Sequence, residues 1–398
     1  MTGVRVGSAL SDEQRAIREL VREFAVEEVR PVAREADAEA SFPEEVWDGL
    51  AELGLTGLTV PAEYGGFDAD RTTYAVVNEE LAYGALAVAT ALSVHCLVTS
   101  CLAAFGSEGQ RERWLPEMAE GRPVGMFCLS EPHAGSNPAE MSTTARYDPE
   151  RDEYVLDGTK QWITNGERGG VAVVFAKAAP DENDGDPADP AAAGREAITQ
   201  FLVPADVEGF EVGSKEEKLG LRASDTTSIT FDGCRIPAEN RLTEVGDGLS
   251  AAFRILTSGR IGIAAQAVGL ARAAFDEARE YAGERKQFGQ PIAEIGAIRG
   301  TFAELSTEIE ASRLLVREAC RRAEAGEDAR VAAARAKLSA SETAMSVTNE
   351  AVQIHGGYGY TTAFDVERLY RDAKITQIYE GTSEIQKKII ARGVLDDR

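Results

Sequence analysis

The segment from Gln353 to Ser383 holds the turn Gln353-Ile354-His355-Gly356-Gly357-Tyr358-Gly359-Tyr360 and ends in Tyr379-Glu380-Gly381-Thr382-Ser383. Apolar residues flank Glu380, and apolar surroundings disfavour a charged carboxylate, which brings its proton affinity towards that of a general base. Gly381 would let a ligand approach the main chain closely. Ser383 with Gln386 predicts a capping box that opens a final helix. The alternative is a surface glutamate before a capped helix, which is the better default for an arbitrary glutamate.

Composition and charge are those of a globular protein with an acidic surface. The 398 residues are 43% hydrophobic and 27% charged, and this length predicts two or three domains. Forty-two basic against 67 acidic residues give a net charge of −25, which opposes nucleic acids and anionic membranes as partners. Lysine is scarce, and an acidic surface with few lysines indicates adaptation to a high-salt cytoplasm, where salt screens the repulsion between the acidic side chains. The alternative is an ordinary acidic protein.

The cysteine and histidine patterns predict neither disulfides nor a metal site. The five cysteines are an odd number, widely spaced, without a CxxC pair, as expected for reduced thiols in a cytoplasmic protein. The three histidines show no ligand spacing. The N-terminus has no apolar signal region, and we find no run of about 18 apolar residues. We therefore expect a cytoplasmic protein without membrane insertion.

The order of periodic segments predicts an α+β protein. Helical spacing follows a capping box at Ser11–Gln14 and holds, with an interruption at Pro31, through an all-helical domain at residues 1–122. Short β-branched and aromatic runs then predict a small β-barrel or sandwich domain at residues 123–236, with a solvated acidic hairpin loop at Pro180–Pro187. Long helical patterns return for a bundle domain at residues 237–398.

Common nucleotide and hydrolase motifs are missing from the sequence. It has no GxGxxG, Walker A, HExxH or GxSxG pattern. Glycine- and hydroxyl-rich segments remain that could supply hydrogen-bond donors to a flat polar cofactor. They are Phe127–Ser136, Trp162–Gly166, Arg285–Gly289 and the C-terminal segment.

Together these segments resemble the acyl-CoA dehydrogenase family. The matching sequences are FCLSEPHAGS at 127–136, WITNG at 162–166, ERKQFG at 284–289, QIHGGYGY at 353–360 and QIYEGTS at 377–383. They stand in the family's order and spacing over nearly the whole chain. The resemblance implies FAD bound between the β domain and a C-terminal four-helix bundle.

The resemblance also implies roles for individual residues. Glu380 would be the catalytic base that removes the α-proton of an acyl-CoA. The implied FAD contacts are Phe127, Leu129, Ser130, Ser136, Trp162, Ile163, Thr164, Arg285, Gln287, Phe288, Gln353, Ile354, Gly356, Gly357, Thr382 and Glu384. The implied substrate contacts are Ser136, Arg260, Tyr379 and Gly381.

The implied activity is FAD-dependent dehydrogenation of an acyl-CoA to trans-2-enoyl-CoA, in fatty-acid or branched-chain amino-acid breakdown. Electrons would pass to an electron-transfer flavoprotein. The implied assembly is a homotetramer built as a pair of dimers. Two alternatives are an oxidase that uses O₂ and a non-catalytic acyl-CoA-dehydrogenase-like binding or assembly protein.

Some positions discriminate within the family or depart from its pattern. Some branches place the base directly before an arginine on the long helix, and here that position is Gly259, before Arg260. A glutaryl-CoA substrate would need a cation, which the segment Leu81–Gln110 lacks. The departures at His133 and Asn137 predict rearranged CoA or flavin contacts at that turn, and the departures at Ile295, Gly296 and Ala363 receive no binding role here.

Overall fold

The structure, a computed structural model, describes residues 10–178 and 193–395. The acidic tract Pro180–Pro187 lies outside the described residues.

The predicted order of helices, sheet and helices is confirmed. The N-terminal helices are α1 (Asp12–Phe24), α2 (Arg30–Glu39), α3 (Glu44–Glu52), α4 (Arg71–Gly84), α5 (Leu86–Phe105) and α6 (Glu108–Ala119). The strands that follow are β1 (Gly125–Cys128), β2 (Thr144–Asp148), β3 (Glu153–Thr164), β4 (Val171–Ala178), β5 (Ile198–Pro204), β6 (Phe210–Val212) and β7 (Thr226–Pro237). The C-terminal elements are α7 (Gly248–Glu284), β8 (Lys286–Gln287), β9 (Gln290–Pro291), α8 (Gly296–Glu324), α9 (Arg330–His355), α10 (Val366–Ala373) and α11 (Ser383–Leu395).

The first helix begins as its sequence predicts. The Ser11 hydroxyl accepts the Gln14 N–H, and the Gln14 side chain accepts the Ser11 N–H. A π-helical turn at Ala25–Val29 separates α1 from α2, whose second residue is Pro31. Proline has no N–H to give to the preceding turn, so an interruption here is the expected result.

Helix α5 corrects one expectation. Its 20 residues carry no charged side chain, and by length and composition the helix could cross a membrane. The expectation that no such run exists is therefore wrong. The helix is packed inside the protein, and 83% of its apolar stretch is buried. It acts as a core helix between the α-helical and β-rich parts.

The sheet has the strand order β1-β4-β2-β3-β7-β6, with β5 paired to β4. Both faces of β4 are covered: Val171, Val173 and Phe175 pack with α5 and α6, whereas Ala172 and Val174 pack inside the sheet. This explains its continuous apolar run. The strands β2 and β6 were not predicted, because their polar, half-exposed sequences give no clear alternation.

The C-terminal helices share one core with α1–α5. Helix α7 is 37 residues long and packs on α4, α5, α8 and α9. It runs from the sheet to the β8–β9 hairpin at the far end of the bundle. One side of this helix forms a wall of the candidate site.

Candidate active site

Glu380 lies between α10 and α11 in a strained main-chain conformation. Its φ is +49°, and Gly381 follows at +94°. A residue with a side chain pays about 1–2 kcal/mol to adopt this left-handed region. Such strain persists only where the surroundings hold it, and it is common at functional sites.

The carboxylate of Glu380 points at the wall formed by α7. A Cβ atom at position 259 would lie 2.2 Å from Glu380 Oε2 and 3.3 Å from Leu97 Cδ2, so any larger residue at Gly259 would force the carboxylate to move. Oε2 is buried and has no hydrogen-bond partner among residues 10–178 and 193–395. A buried acceptor without a partner is rare in native proteins and marks a position that a ligand can complete.

The electrostatic surroundings suit a proton-accepting carboxylate. Burial raises the pKa of Glu380 to about 7, although the positive charges of Lys337 and Arg260 lower it. A base with a pKa near the working pH combines a deprotonated form with useful proton affinity. The prediction of a carboxylate in apolar surroundings agrees with this geometry.

Lys337 on α9 holds the main chain on both sides of Glu380. Its ammonium donates hydrogen bonds to the carbonyl of Tyr379 at 2.7 Å and to that of Gly381 at 2.5 Å. Lys337 is 1% exposed, and burial lowers its pKa to about 8. The side chain thus fixes the strained segment that presents the carboxylate. Sequence reasoning missed this residue, although a lone lysine among the small residues of α9 was a usable signal.

A polar network lies farther along α7 from Glu380. Gln266 accepts a hydrogen bond from the Tyr379 hydroxyl at 3.2 Å and donates to Asn78 and to the Ala89 carbonyl. Between Gly259 and Gln266, the Tyr74 ring fills the space beside Gly262. The candidate substrate residue Arg260 is 7% exposed, and its Nε has no hydrogen-bond partner within the described ranges.

A buried ion pair shapes the β-domain side of the site. Lys160 donates to Glu131 at 2.8 Å, and Glu131 also accepts hydrogen bonds from Ser142 and Thr143. Burial alone would raise the pKa of Glu131, but Lys160 and these hydrogen bonds hold it at about 2. The pair anchors the segment that carries Leu129 and Ser130. Neither Lys160 nor Glu131 was among the candidates.

The segment at 162–166 is the end of β3 and the turn after it, rather than a turn alone. Trp162 has φ +64° and is 61% exposed, whereas Ile163 packs in the sheet core and offers only its main chain. Asn165 holds the turn by donating to the carbonyls of Ala91 and Gly125. The indole and the half-buried Thr164 therefore lie at the end of β3, directly before a turn that Asn165 fixes.

The other candidate residues fall into three groups. Phe127 and Ser130 are half-buried and Leu129 is buried beside this turn, whereas Ser136 is exposed in the following loop. Thr382 and Glu384 lie at the start of α11, next to Glu380. The remaining candidates lie at the far end of the bundle and are mostly exposed: Arg285, Gln287, Phe288, Gln353, Ile354, Gly356 and Gly357. Thr382 and Glu384 are thus neighbours of Glu380 in the chain, and Leu129 belongs to an apolar cluster against which Leu256, one turn before Gly259 on α7, packs. The third group lies away from this region.

The predicted capping box at Ser383 and Gln386 is wrong. The Thr382 hydroxyl accepts the Ile385 N–H at 3.4 Å, so the cap lies one residue earlier. Ser383 instead bonds to Glu342, and the Gln386 amide donates to the Gly381 carbonyl. Gln386 therefore supports the same carbonyl that Lys337 holds.

Gly259→Ala is expected to inactivate the site while leaving the fold intact. The added methyl would lie 2.2 Å from Glu380 Oε2 and push the carboxylate aside, and a displacement of about 1 Å can cost about a hundredfold in rate. Substrate-dependent flavin reduction is the measurement. Gly283→Ala, on the same helix with no atom within 4 Å of the new Cβ, is the matched control and should keep full activity. Equal activity of the two variants would show that the carboxylate does not need this space.

The fold and the site define a class: a helix–sheet–helix protein with a buried carboxylate, held in a strained main-chain conformation, that faces a glycine of the long helix α7. Family models for the N-terminal, middle and C-terminal domains of acyl-CoA dehydrogenases match residues 11–122, 126–234 and 246–395. The chain belongs to the acyl-CoA dehydrogenase family, whose members are oxidoreductases that act on CH–CH groups.

Individual relatives cover almost the whole chain. The short-chain specific acyl-CoA dehydrogenase of Clostridium acetobutylicum is 41% identical, over 96% of this chain and 98% of its own length. The acryloyl-CoA reductase (NADH) of Anaerotignum propionicum is 41% identical, over 98% and 96%. A chain in the structure of the electron transferring flavoprotein of Acidaminococcus fermentans, solved towards a mechanism of flavin-based electron bifurcation, has a TM-score of 0.92. It is 37% identical over 98% of this chain and 99% of that chain.

FAD is the cofactor of this family, and the described residues fit it. Trp162, at the end of β3, exposes an aromatic face against which a flat flavin ring can pack. At the far end of the bundle, a Cβ added at Gly356 or Gly357 would meet no atom within 4 Å from the described part of the chain, apart from its immediate neighbours. Open glycine main chain of this kind can approach a diphosphate closely.

Proposed function

We propose that the protein oxidises short-chain acyl-CoA thioesters to trans-2-enoyl-CoA, with Glu380 as the base that removes the α-proton. The observation that carries this proposal is the buried Oε2 of Glu380, which has no partner within the described ranges and lies in the space left by Gly259. A non-catalytic binding or assembly protein would have no use for a strained, desolvated carboxylate.

The chain's own residues can perform the proton transfer. The Glu380 N–H has no acceptor among the described residues, so it can donate to the thioester carbonyl. Such a donor stabilises the enolate-like charge and makes the α-proton more acidic. Glu380 then takes the proton, and the nearby cations of Lys337 and Arg260 favour its ionised resting form. FAD, when bound, would supply the acceptor for the β-hydrogen as hydride.

The polar network around Gln266 supports a short acyl chain. Gln266 is seven residues beyond Gly259, which corresponds to about 10 Å along α7. It is fully buried, and it has hydrogen bonds with Asn78, Tyr379 and Ala89. A long alkyl chain would have to displace these bonds, which is costly for buried polar groups. We therefore infer that the acyl pocket ends at this network.

The far-end candidates support an assembly in which subunits share cofactor sites. Arg285 lies 26 residues from Gly259, about 39 Å along α7, which is beyond the reach of one FAD molecule. Phe288 is 93% exposed and Tyr360 is 89% exposed at this end, as expected for a surface that another subunit covers. We propose that Arg285, Gln287 and the turn at Gln353–Gly357 contact FAD bound mainly by a neighbouring subunit of a homotetramer.

We propose an electron-transfer flavoprotein as the electron acceptor. The support is the similarity to a chain in the Acidaminococcus fermentans structure. All five cysteines are free and buried, which suits a reducing compartment such as the cytoplasm. Slow reoxidation of the reduced enzyme in air is expected, and fast reoxidation would favour an oxidase.

A second candidate function is reduction of a 2-enoyl-CoA, the reverse direction. It is favoured by the acryloyl-CoA reductase (NADH) relative. A test in both directions separates the two: butyryl-CoA with a dye acceptor, and crotonyl-CoA with a reduced electron carrier. Higher turnover in the second assay would overturn the dehydrogenase assignment but keep the role of Glu380.

Gln266→Ala is expected to extend the preference towards longer acyl chains. Removing the side chain opens space for about two methylene groups, each worth about 0.8 kcal/mol when buried. The kcat/KM ratio of octanoyl-CoA to butyryl-CoA should rise by about tenfold. Gln200→Ala, which removes a buried glutamine in the β domain, is the matched control and should leave the ratio unchanged. An unchanged ratio in both variants would place the end of the pocket elsewhere.

A further inference from the structure

An arginine-rich cavity lies between the N-terminal and C-terminal helices, outside the candidate active site. Its volume is about 470 Å³, and it is formed by α1, α4, α7 and α8. Six arginines line it: Arg15, Arg18, Arg22, Arg272, Arg313 and Arg317. The lining carboxylates are Glu79, Glu80 and Glu310. The cavity is therefore positively charged in a chain whose net charge is −25.

The three carboxylates are already engaged. Glu79 bonds to Arg272 at 2.6 Å and to Arg313, and Glu80 bonds to Arg272 at 3.1 Å and to Arg22. Glu310 pairs with Arg313, and burial raises the pKa of Glu80 to about 7, which weakens its negative charge near neutral pH. Arg15 pairs with Asp12 outside the lining, so these carboxylates leave the remaining arginines, Arg18 and Arg317, without an ion pair within the described ranges.

Two of the arginines form no ion pair with the described carboxylates, although Glu80 and Glu79 lie near enough to act on them electrostatically. In residues 10–178 and 193–395, no carboxylate oxygen lies within 4 Å of the guanidinium of Arg18 or of Arg317. The Nη1 atom of Arg317 is buried and lacks a hydrogen-bond acceptor. Residues 1–9, which precede Leu10 at the cavity edge, contain no Asp or Glu. A buried N–H group of a charged guanidinium without an acceptor is costly, so an anion from outside the chain would relieve it.

We propose that this cavity binds a small, multiply charged phosphate anion between Arg18 on α1 and Arg317 on α8. Guanidinium groups recognise phosphate oxygens through paired, charge-assisted hydrogen bonds. The volume accommodates a diphosphate group, free or as part of a nucleotide. Because α1 and α8 belong to different domains, the anion would join the N-terminal helices to the C-terminal bundle.

The test is the melting temperature of the FAD-loaded enzyme during titration with sodium pyrophosphate, with sodium chloride at matched ionic strength as reference. Pyrophosphate should raise the melting temperature more than chloride does. In Arg317→Gln the apparent affinity should fall by about tenfold or more, the effect of losing one charge-assisted bond. Arg335→Gln removes an exposed arginine from α9 and should behave like the wild type. A parallel titration with ADP distinguishes free diphosphate from a nucleotide as the preferred ligand.

Two outcomes would overturn the proposal. Equal stabilisation by pyrophosphate and chloride would show only general screening. A pyrophosphate effect that survives in Arg317→Gln would place the anion in another site, such as that for FAD or CoA. Arg18→Gln, at a half-exposed position on α1, provides the same test should Arg317→Gln fail to fold.

Discussion

Glu380→Gln is expected to abolish reduction of bound FAD by butyryl-CoA while the purified protein stays yellow. Glutamine keeps the shape of the side chain but cannot accept the α-proton, and loss of a general base costs up to about 10⁴-fold in rate. Anaerobic stopped-flow mixing with butyryl-CoA measures the reduction directly. Glu52→Gln, an exposed glutamate on α3, is the matched control and should reduce at the wild-type rate.

The same substitution is expected to stabilise the fold above pH 7. Because burial raises the folded-state pKa of Glu380 to about 7 from 4.5, the folded state binds more protons than the unfolded state between these values. The contribution of Glu380 to stability therefore falls as pH rises through this window. Removing the charge should raise the free energy of unfolding above pH 7 by up to about 3 kcal/mol. Denaturant titrations on both sides of the window provide the measurement, and a loss of stability would contradict the burial of a charged group.

Lys337→Met is expected to impair catalysis through the position and pKa of Glu380. The variant loses both hydrogen bonds to the carbonyls of Tyr379 and Gly381, so the carboxylate should shift and kcat should fall by about a hundredfold. The loss of a cation that opposes the raised pKa of Glu380 should also move the acid limb of the kcat profile to higher pH. Methionine preserves most of the buried volume, so FAD binding should survive.

The pH profile separates positioning from simple stability. Lys388→Met changes an exposed lysine on α11 and should leave both kcat and its pH profile unchanged. A Lys337→Met enzyme with a lower melting temperature but an unchanged acid limb would show that Lys337 only supports the fold. In that case the interaction with Glu380 would have no catalytic consequence.

Local signals allowed much of the fold to be predicted from sequence. The capping box at Ser11 and the apolar spacing of α7 depend on neighbours within a few turns, and both appear in the structure. The strands β2 and β6 were missed because pairing partners far along the chain, rather than their own sequences, decide that they are strands. The extension of β3 also depends on a bulge at Gly158, where the pairing with β7 shifts.

The chemistry of the site was more predictable than its geometry. Glu380 could be singled out from its apolar neighbours and from the family resemblance. Its positive φ and the two hydrogen bonds from Lys337 could not be predicted from the sequence, because they depend on α9, which lies more than 40 residues earlier in the chain. The helix cap lies at Thr382 rather than at Ser383, because Ser383 donates to Glu342 and Gln386 donates to the Gly381 carbonyl.

The most direct test of the central claim is exchange of the α-protons of butyryl-CoA with deuterium from solvent. The FAD-loaded enzyme would be incubated anaerobically in D₂O without an electron acceptor, and label would be followed by mass spectrometry. Wild-type enzyme should incorporate deuterium at the α-carbon, faster as pH rises through about 7, and Glu380→Gln should show none above the uncatalysed background. Exchange in Glu380→Gln at the wild-type rate would contradict the role of Glu380 as the base.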